Sequence, residues 1–327
     1  MHFGVREMDL VNHLNDRLLF AVPKSEFQDF HRFYSVQKGR LYQQCLELLK
    51  GADIQFNRSN RLDIALCTNL PIALVFLPAA DIPRFVGEGR VSLGITGQDQ
   101  VAESNIDVRE IIDLGFGSCK LQVEVPENGA FSDPRQLVGK SIVTSFTSLT
   151  EQYFRKLEAE AANAEPAVNG NEKKPLKTVI KYVGGSVEAA CALGIADAVV
   201  DLVESGETMR AAGLKAIETV FETSAVLIGS QHPTHPDLLD IIVSRIKGVI
   251  AAGKYVLCNY NCPRDKLNVV ITITPGHRAP TVSPLEEEGW VAVSSMVEKK
   301  RIAEVMDRLQ AAGAEDILVF NISNSRV

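Results

Sequence analysis

Residues 197–210 read Asp197-Ala-Val-Val-Asp201-Leu-Val-Glu204-Ser205-Gly206-Glu207-Thr208-Met209-Arg210. An apolar run enters a Ser-Gly turn, and a helical segment follows. Such a turn suits a phosphate: amides at a helix start lack intrahelical partners, glycine allows close approach, and two hydroxyls stand beside it. Asp201 and Glu204, on the way into the turn, can accept hydrogen bonds from sugar hydroxyls or hold a metal–diphosphate through water. An ordinary strand–turn–helix capped by Ser205 or Thr208 has the same pattern. Gly94-Ile-Thr96-Gly97-Gln-Asp99 is a similar strand-end loop, although G-x-x-G alone is a weak signal. Gly185-Ser186-Val-Glu188 opens a helical stretch over 187–193, as an anion site or as a plain capped helix. Lys38-Gly39-Arg40 sets two cations at a helix start, where the dipole disfavours them. A bound polyanion accounts for them, and so does a solvated charge pair.

The sequence has no carboxylate pair spaced for acid/base work, no Ser–His–Asp set, no H-E-x-x-H, no G-x-S-x-G and no Walker lysine loop. The chemistry expected is therefore positioning and charge stabilisation around phosphates.

These loops need strands to end on and helices to begin. Residues 17–22 (RLLFAV) predict a strand that Pro23 stops, and Leu41, Cys45, Leu48 and Leu49 share one face of a helix. Strands over 73–77, 92–96, 121–125, 141–144 and 178–183 alternate with helices over 81–86, from 98, and over 149–162. That alternation predicts α/β layers around mainly parallel sheets. Residues 159–177 are polar, carry two prolines and read as a surface loop. After a break at 229–236 comes a helix over 237–252, then a strand, helix, two strands, helix and strand to 322. That order, βαββαβ, is the ferredoxin-like unit.

Residues 81–96 also lie over residues 186–201 without a gap. Each is a short helix, then Gly89 or Gly194, a small polar residue (Ser92 or Asp197) and an apolar strand. A duplication would give two similar lobes, each presenting a strand-end loop to one cleft.

The 327 residues suggest two or three domains at ~150 residues each. A formal charge of −7 argues against a broad nucleic-acid or anionic-membrane surface while leaving room for a local phosphate pocket. No stretch reaches the ~18 uninterrupted apolar residues of a membrane span. Arg6, Glu7 and Asp9 deny the first residues the apolar core of a secretion signal, so a cytosolic address is expected. The six cysteines are scattered and read as reduced packing residues.

RLLFAVPK…KGRL, FNRSNRLDIAL, LPAADIPRFVGEG, LGITGQD, FGSCKLQVEVP, GSVEAACALGIADAVVDLVESGETMRAAGL, TPGHRAPT and EGWVAVSSMVE follow in order from Met8 to Val327. Together they closely resemble the long form of ATP phosphoribosyltransferase, which opens histidine biosynthesis. The resemblance implies transfer of phosphoribosyl from phosphoribosyl pyrophosphate to N1 of ATP, with Mg²⁺ carried by the substrate rather than bound directly by the protein. It implies an α/β fold of two periplasmic-binding-protein-like lobes around a cleft, plus a C-terminal ferredoxin-like regulatory domain. Histidine would inhibit there, in homo-oligomers (dimers and hexamers). Lobe I, on the ATP side, would take 8–117 and 209–235, lobe II 118–208, and a connector helix with the regulatory domain 236–327.

By the same resemblance, Asp201, Glu204, Ser205, Gly206, Glu207 and Thr208 would hold phosphoribosyl pyrophosphate, with Gly185, Ser186 and Glu188. Asp201 and Glu204 would position it rather than act as acid or base. ATP would meet Lys24, Lys38, Gly39, Arg40, Gly94, Thr96, Gly97 and Asp99; Arg61 and Lys120 are weaker assignments. Neither nucleic acid nor membrane is implied as a partner.

Three departures stand out. The family runs P-K-K-G-R-L unbroken, whereas here residues 25–37 separate Lys24 from Lys38. They read as unspliced or misassigned sequence rather than an evolved loop. Ser92 stands where the family has Asp, and residues 1–7 precede the usual start at Met8. Similar lobes also serve as solute receptors, which keeps open a two-lobed small-molecule binding or regulatory protein, and Ser92 and the insertion keep open a paralogue without turnover.

Overall fold

A computed structural model describes residues 17–23, 41–58, 63–161 and 175–326. The expectations for residues 1–7, 25–37, Lys24, Lys38, Gly39, Arg40 and Arg61 lie outside the described residues. One compact unit runs to Cys45 and from Phe56 to Thr234; the other joins 46–55 to 235–327.

The first unit is built from β1 (Arg17–Pro23), α1 (Tyr42–Gly51, whose start lies here), β2 (Ile64–Leu66), β3 (Ile72–Pro78), α2 (Ile82–Gly87), β4 (Leu93–Gly97), α3 (Gln98–Ser104) and β5 (Arg109–Asp113). It continues with β6 (Cys119–Pro126), β7 (Ser141–Thr144), α4 (Thr147–Ala161), β8 (Val179–Tyr182), α5 (Ala189–Ala192), β9 (Ala198–Val203), α6 (Glu207–Ala211), β10 (Leu214–Thr223) and β11 (Ala225–Gly229). Two sheets result, ordered β2-β3-β1-β4-β11-β5 and β10-β6-β9-β7-β8.

The six-stranded sheet pairs antiparallel throughout and the five-stranded sheet is mixed, which corrects the expectation of mainly parallel layers. Among the described strands only β7–β8 and β7–β9 pair in parallel. A short turn joins β2 to β3, and a connection that short makes antiparallel neighbours. β10 and β11 likewise enter against the direction of β6 and β4.

The repeat seen in the sequence is present in the backbone. Gly89 N–H donates to Val86 O and Arg90 N–H to Phe85 O; Gly194 donates to Cys191 O and Ile195 to Ala190 O. Both glycines are left-handed, at φ +71° and +68°. This is the Schellman ending, and it turns each short helix into the following strand, β4 or β9.

The chain crosses between the two sheets twice, through 114–118 and through Ser224, and the crossings run side by side. Ala225 N–H donates to Phe116 O at 3.0 Å and Leu114 N–H to Ala225 O at 2.9 Å. β10 lies in the five-stranded sheet, so the return to the first sheet begins at Ala225 and not at residue 209 as expected.

A third tie comes from Glu103. Its carboxylate on α3 accepts from Thr147 Oγ1 (3.2 Å), Ser148 N–H (2.8 Å) and Leu149 N–H (2.9 Å), filling the N-terminus of α4 in the other lobe. Negative charge there meets unpaired amides and the positive end of the helix dipole. Glu103→Ala is expected to destabilise this unit by roughly 1–2 kcal/mol, read as a lower urea midpoint; an unchanged midpoint would count against the tie.

The second unit holds α7 (Pro236–Lys254), β12 (Tyr255–Pro263), α8 (Leu267–Ile273), β13 (Thr281–Pro284), β14 (Trp290–Glu298), α9 (Ile302–Ala311) and β15 (Glu315–Asn321). The βαββαβ order is the one expected, and its antiparallel sheet runs β13-β14-β12-β15. Alternate residues Val256, Cys258, Tyr260 and Cys262 face Val270, Val305 and Leu309 in one core. Both cysteines are free and buried, as packing residues should be. Arg245 donates to Asp53 O (3.0 Å) and Asn324 to Gly51 O (2.8 Å), fastening residues 46–55 to this unit. No described helix is long and apolar enough to cross a membrane.

Candidate functional site

β9 is packed on both faces: Ala198 and Val200 enter one core, Val199 another, and all three are fully buried. That packing delivers Asp201 and the following turn to a fixed place. Gly206 occupies the cap position of α6 at φ +73°, a conformation that side chains disfavour. Ser205 braces the turn from within, its Oγ accepting from Glu207 N–H at 3.3 Å. Arg210 donates to Ser205 O at 3.0 Å. The first-turn amides of α6 have no intrahelical acceptors.

A cavity of about 320 Å³ opens on one side of this turn, lined by Cys119, Glu124, Glu188, Asp201 and residues 202–209. A second, of about 540 Å³, shares Cys119 and much of the turn and adds Gln98, Lys120, Gln122, Arg210, Thr223 and Ser224. The first wall is acidic. Burial, then Asp201 and Glu188, push the Glu124 carboxyl up to about 8. Burial also raises Asp201 to about 6, opposed by the Leu202 N–H that it accepts at 2.8 Å and reinforced by Glu188. The second wall mixes the signs, Arg210 and Lys120 standing with Glu204 and Glu222, and Lys120 pairs with Glu222 at 2.9 Å. A ligand with phosphates around a hydroxylated centre matches this division, hydroxyls donating to carboxylates and phosphates meeting amides and cations. Among the described residues no three His, Cys, Asp or Glu side chains are grouped to hold a metal.

Asp201, Glu204, Ser205, Gly206, Glu207, Thr208 and Glu188 thus gather around one cavity, and Lys120 lines the other. Gly185 and Ser186 are exposed and line neither. The helix expected over 187–193 spans only α5, with Glu188 at its cap, because Ser186 is left-handed at φ +49°. Gly94, Thr96, Gly97 and Asp99 line neither cavity. Thr96 Oγ1 donates to Ala79 O (3.0 Å), and buried Asp99 accepts from Thr223 Oγ1 (2.7 Å). They brace the strand end, and their neighbour Gln98 reaches the second cavity. Glu124 and Cys119 were not anticipated. In Leu121-Gln-Val-Glu124-Val the alternation assigns Glu124 to solvent, and only the packing of β9 and α5 shows that its face is enclosed.

The family description "HisG: ATP phosphoribosyltransferase" matches residues 78–248, and "HisG, C-terminal domain" matches residues 252–324. The chain belongs to the ATP phosphoribosyltransferase family. An ATP phosphoribosyltransferase of Yarrowia lipolytica is 67% identical over 320 residues, covering 98% of this chain and 100% of that one. Those of Schizosaccharomyces pombe and Saccharomyces cerevisiae are 59% and 58% identical, with the same coverage. The "ATP phosphoribosyl transferase (HisG:HisZ) complex from Thermotoga maritima" superposes with a TM-score of 0.52 at 18% identity, over 64% of this chain and 92% of that chain. That likeness extends to the fold. As a member of the ATP phosphoribosyltransferase family, the chain is a pentosyltransferase with an α/β fold of mixed sheets.

Proposed function

We propose that the chain transfers phosphoribosyl from phosphoribosyl pyrophosphate to N1 of ATP, giving phosphoribosyl-ATP and pyrophosphate in the first step of histidine biosynthesis. The observation that carries this reading is the acidic cavity beside the Ser205-Gly206 turn in a chain of this family. The N1 lone pair attacks C1 of the ribose, and the C1–oxygen bond breaks with its electrons leaving on pyrophosphate. Mg²⁺, carried by the diphosphate, neutralises part of the leaving charge. No side chain has to move a proton for this step, which agrees with the lack of an acid/base set.

The turn amides and Thr208 hold the substrate's phosphate. Asp201 and Glu204 accept from ribose hydroxyls, and their charge favours the cationic, oxocarbenium-like sugar. Lys120 and Arg210 attract phosphates on the other side of the turn, with Lys24, Lys38, Gly39 and Arg40 expected toward ATP and Arg61 expected at the cleft. Glu188 closes the acidic wall, with Gly185 and Ser186 at its margin, while Gly94, Thr96, Gly97 and Asp99 support the ATP side. Closing of the lobes about the paired crossings excludes water that would hydrolyse the sugar cation. The ferredoxin-like unit is the expected seat of histidine inhibition, in a cytosolic homo-oligomer.

Mixing ATP, phosphoribosyl pyrophosphate and Mg²⁺ is expected to yield phosphoribosyl-ATP, omission of Mg²⁺ to stop it, and histidine to suppress it. No product from the complete mixture would overturn the reading. Product that histidine leaves untouched would remove only the regulatory assignment.

A further inference from the structure

Glu124 is 2% exposed, yet it lines the acidic cavity. It sits on β6 with Gln122, two residues earlier, directly opposite Asp201 of β9, so Glu124 and Asp201 are diagonal neighbours on one face of the sheet. Its carboxyl makes no hydrogen bond to a described residue and opens onto the cavity. A ligand seated there can therefore reach it.

We propose that Glu124 is a further substrate-binding residue: its carboxyl donates a hydrogen bond to the ribose hydroxyl that in turn donates to Asp201. The proposal rests on the transferase reading above and adds a residue to it. A hydroxyl can accept and donate at once, whereas two ionised carboxylates beside it could only both accept. The neutral acid is the form its surroundings favour. Across the strands it faces Val199 of β9 and Ala216 of β10, neither charged. The charged and titratable groups around it are Asp201, Glu188, Glu204 and Glu207, with the thiols of Cys119 and Cys191. Burial raises the Cys191 thiol to about 11, so it stays neutral alongside. The nearby charges are therefore all negative, and they hold the proton on Glu124 through neutrality. Loss of that proton above about pH 8 turns a donor into a repelling carboxylate.

The test is the KM for phosphoribosyl pyrophosphate of the wild type, Glu124→Gln and Glu124→Leu between pH 7.5 and 9.5, where the substrate's phosphates no longer titrate. In the wild type KM is expected to climb as pH passes about 8. Glu124→Gln keeps a donor that cannot ionise, so its KM should match the wild type at pH 7.5 and stay level. Glu124→Leu loses the donor, and its KM should rise about tenfold with little change in kcat. The same pH response in Glu124→Gln as in the wild type would overturn the proposal, as would a wild-type KM in a folded Glu124→Leu. If Glu124→Leu does not fold, the Glu124→Gln profile decides alone. Failure of the transferase reading would show differently, as absence of product from the wild type itself.

Discussion

Gly206→Val is expected to lower kcat/KM for phosphoribosyl pyrophosphate about 100-fold while leaving the chain folded. Gly206 sits at φ +73°, where a residue with a Cβ is strained by about 1–2 kcal/mol and a β-branched one by more. The new Cβ would also lie 2.7 Å from Arg210 Nη1 and 3.5 Å from Met209 Cε. Arg210 is flexible and can withdraw, but doing so gives up its bond to Ser205 O. The turn relieves both problems by rotating away from positive φ, and its amides then no longer converge on one point. A loss of roughly 3 kcal/mol corresponds to the factor stated. Gly206→Ala, without the branch, should fall between the two. Steady-state kinetics at fixed ATP checks the series, and wild-type turnover in the valine variant would refute the phosphate role of the turn.

Asp201→Asn should cost a similar factor, about 100-fold in kcat/KM, and should make the protein more stable. The amide keeps the shape but replaces a charged acceptor with a neutral one, and it offers the emerging sugar cation nothing. The sign of the stability change follows from the raised carboxyl. Its folded-state value, about 6, lies above the ordinary 3.8, so the folded form binds the proton more tightly. The advantage to folding is full below about pH 4 and is lost as pH rises through about 6. At pH 7 the wild type carries that strain and the asparagine variant does not, a gain of roughly 1–2 kcal/mol after allowance for partial exposure. Activity should show the opposite limb, falling in the wild type below about pH 6 as the acceptor is protonated. Thermal unfolding at pH 7 and a rate profile from pH 5 to 8 check the two halves. Full activity in Asp201→Asn would remove Asp201 from the site.

Much of this was legible because local pattern and local structure agree. The 197–210 segment shows an apolar strand, a glycine where φ must be positive, and a helix start, each set by residues next to one another. The glycine pair Gly89 and Gly194 likewise marks two equivalent helix endings. Strand direction was not legible, because a period of two is the same for parallel and antiparallel neighbours. β10 escaped for another reason. Its register shifts between Ala216 and Glu218 and again between Thr219 and Phe221, which scrambles the alternation that would announce a strand. Glu124 was hidden because its burial is decided by β9 and α5, about 70 residues further along. Thr96 and Asp99 bond to Ala79 and Thr223, partners that lie 17 and 124 residues away and that no local pattern announces.

The interleaving of the first sheet bears on how the molecule is made. β5 ends at Asp113, and its partner in that sheet is β11, which begins at Ala225. At about 5–20 residues per second, a ribosome needs roughly 6–22 s to reach the missing strand. Throughout that interval β4 and β5 have been synthesised but cannot pair through β11, and the second lobe is made in between. The nascent chain therefore carries open strand edges, of the kind that chaperones cover, until the segment from Ala225 has been made.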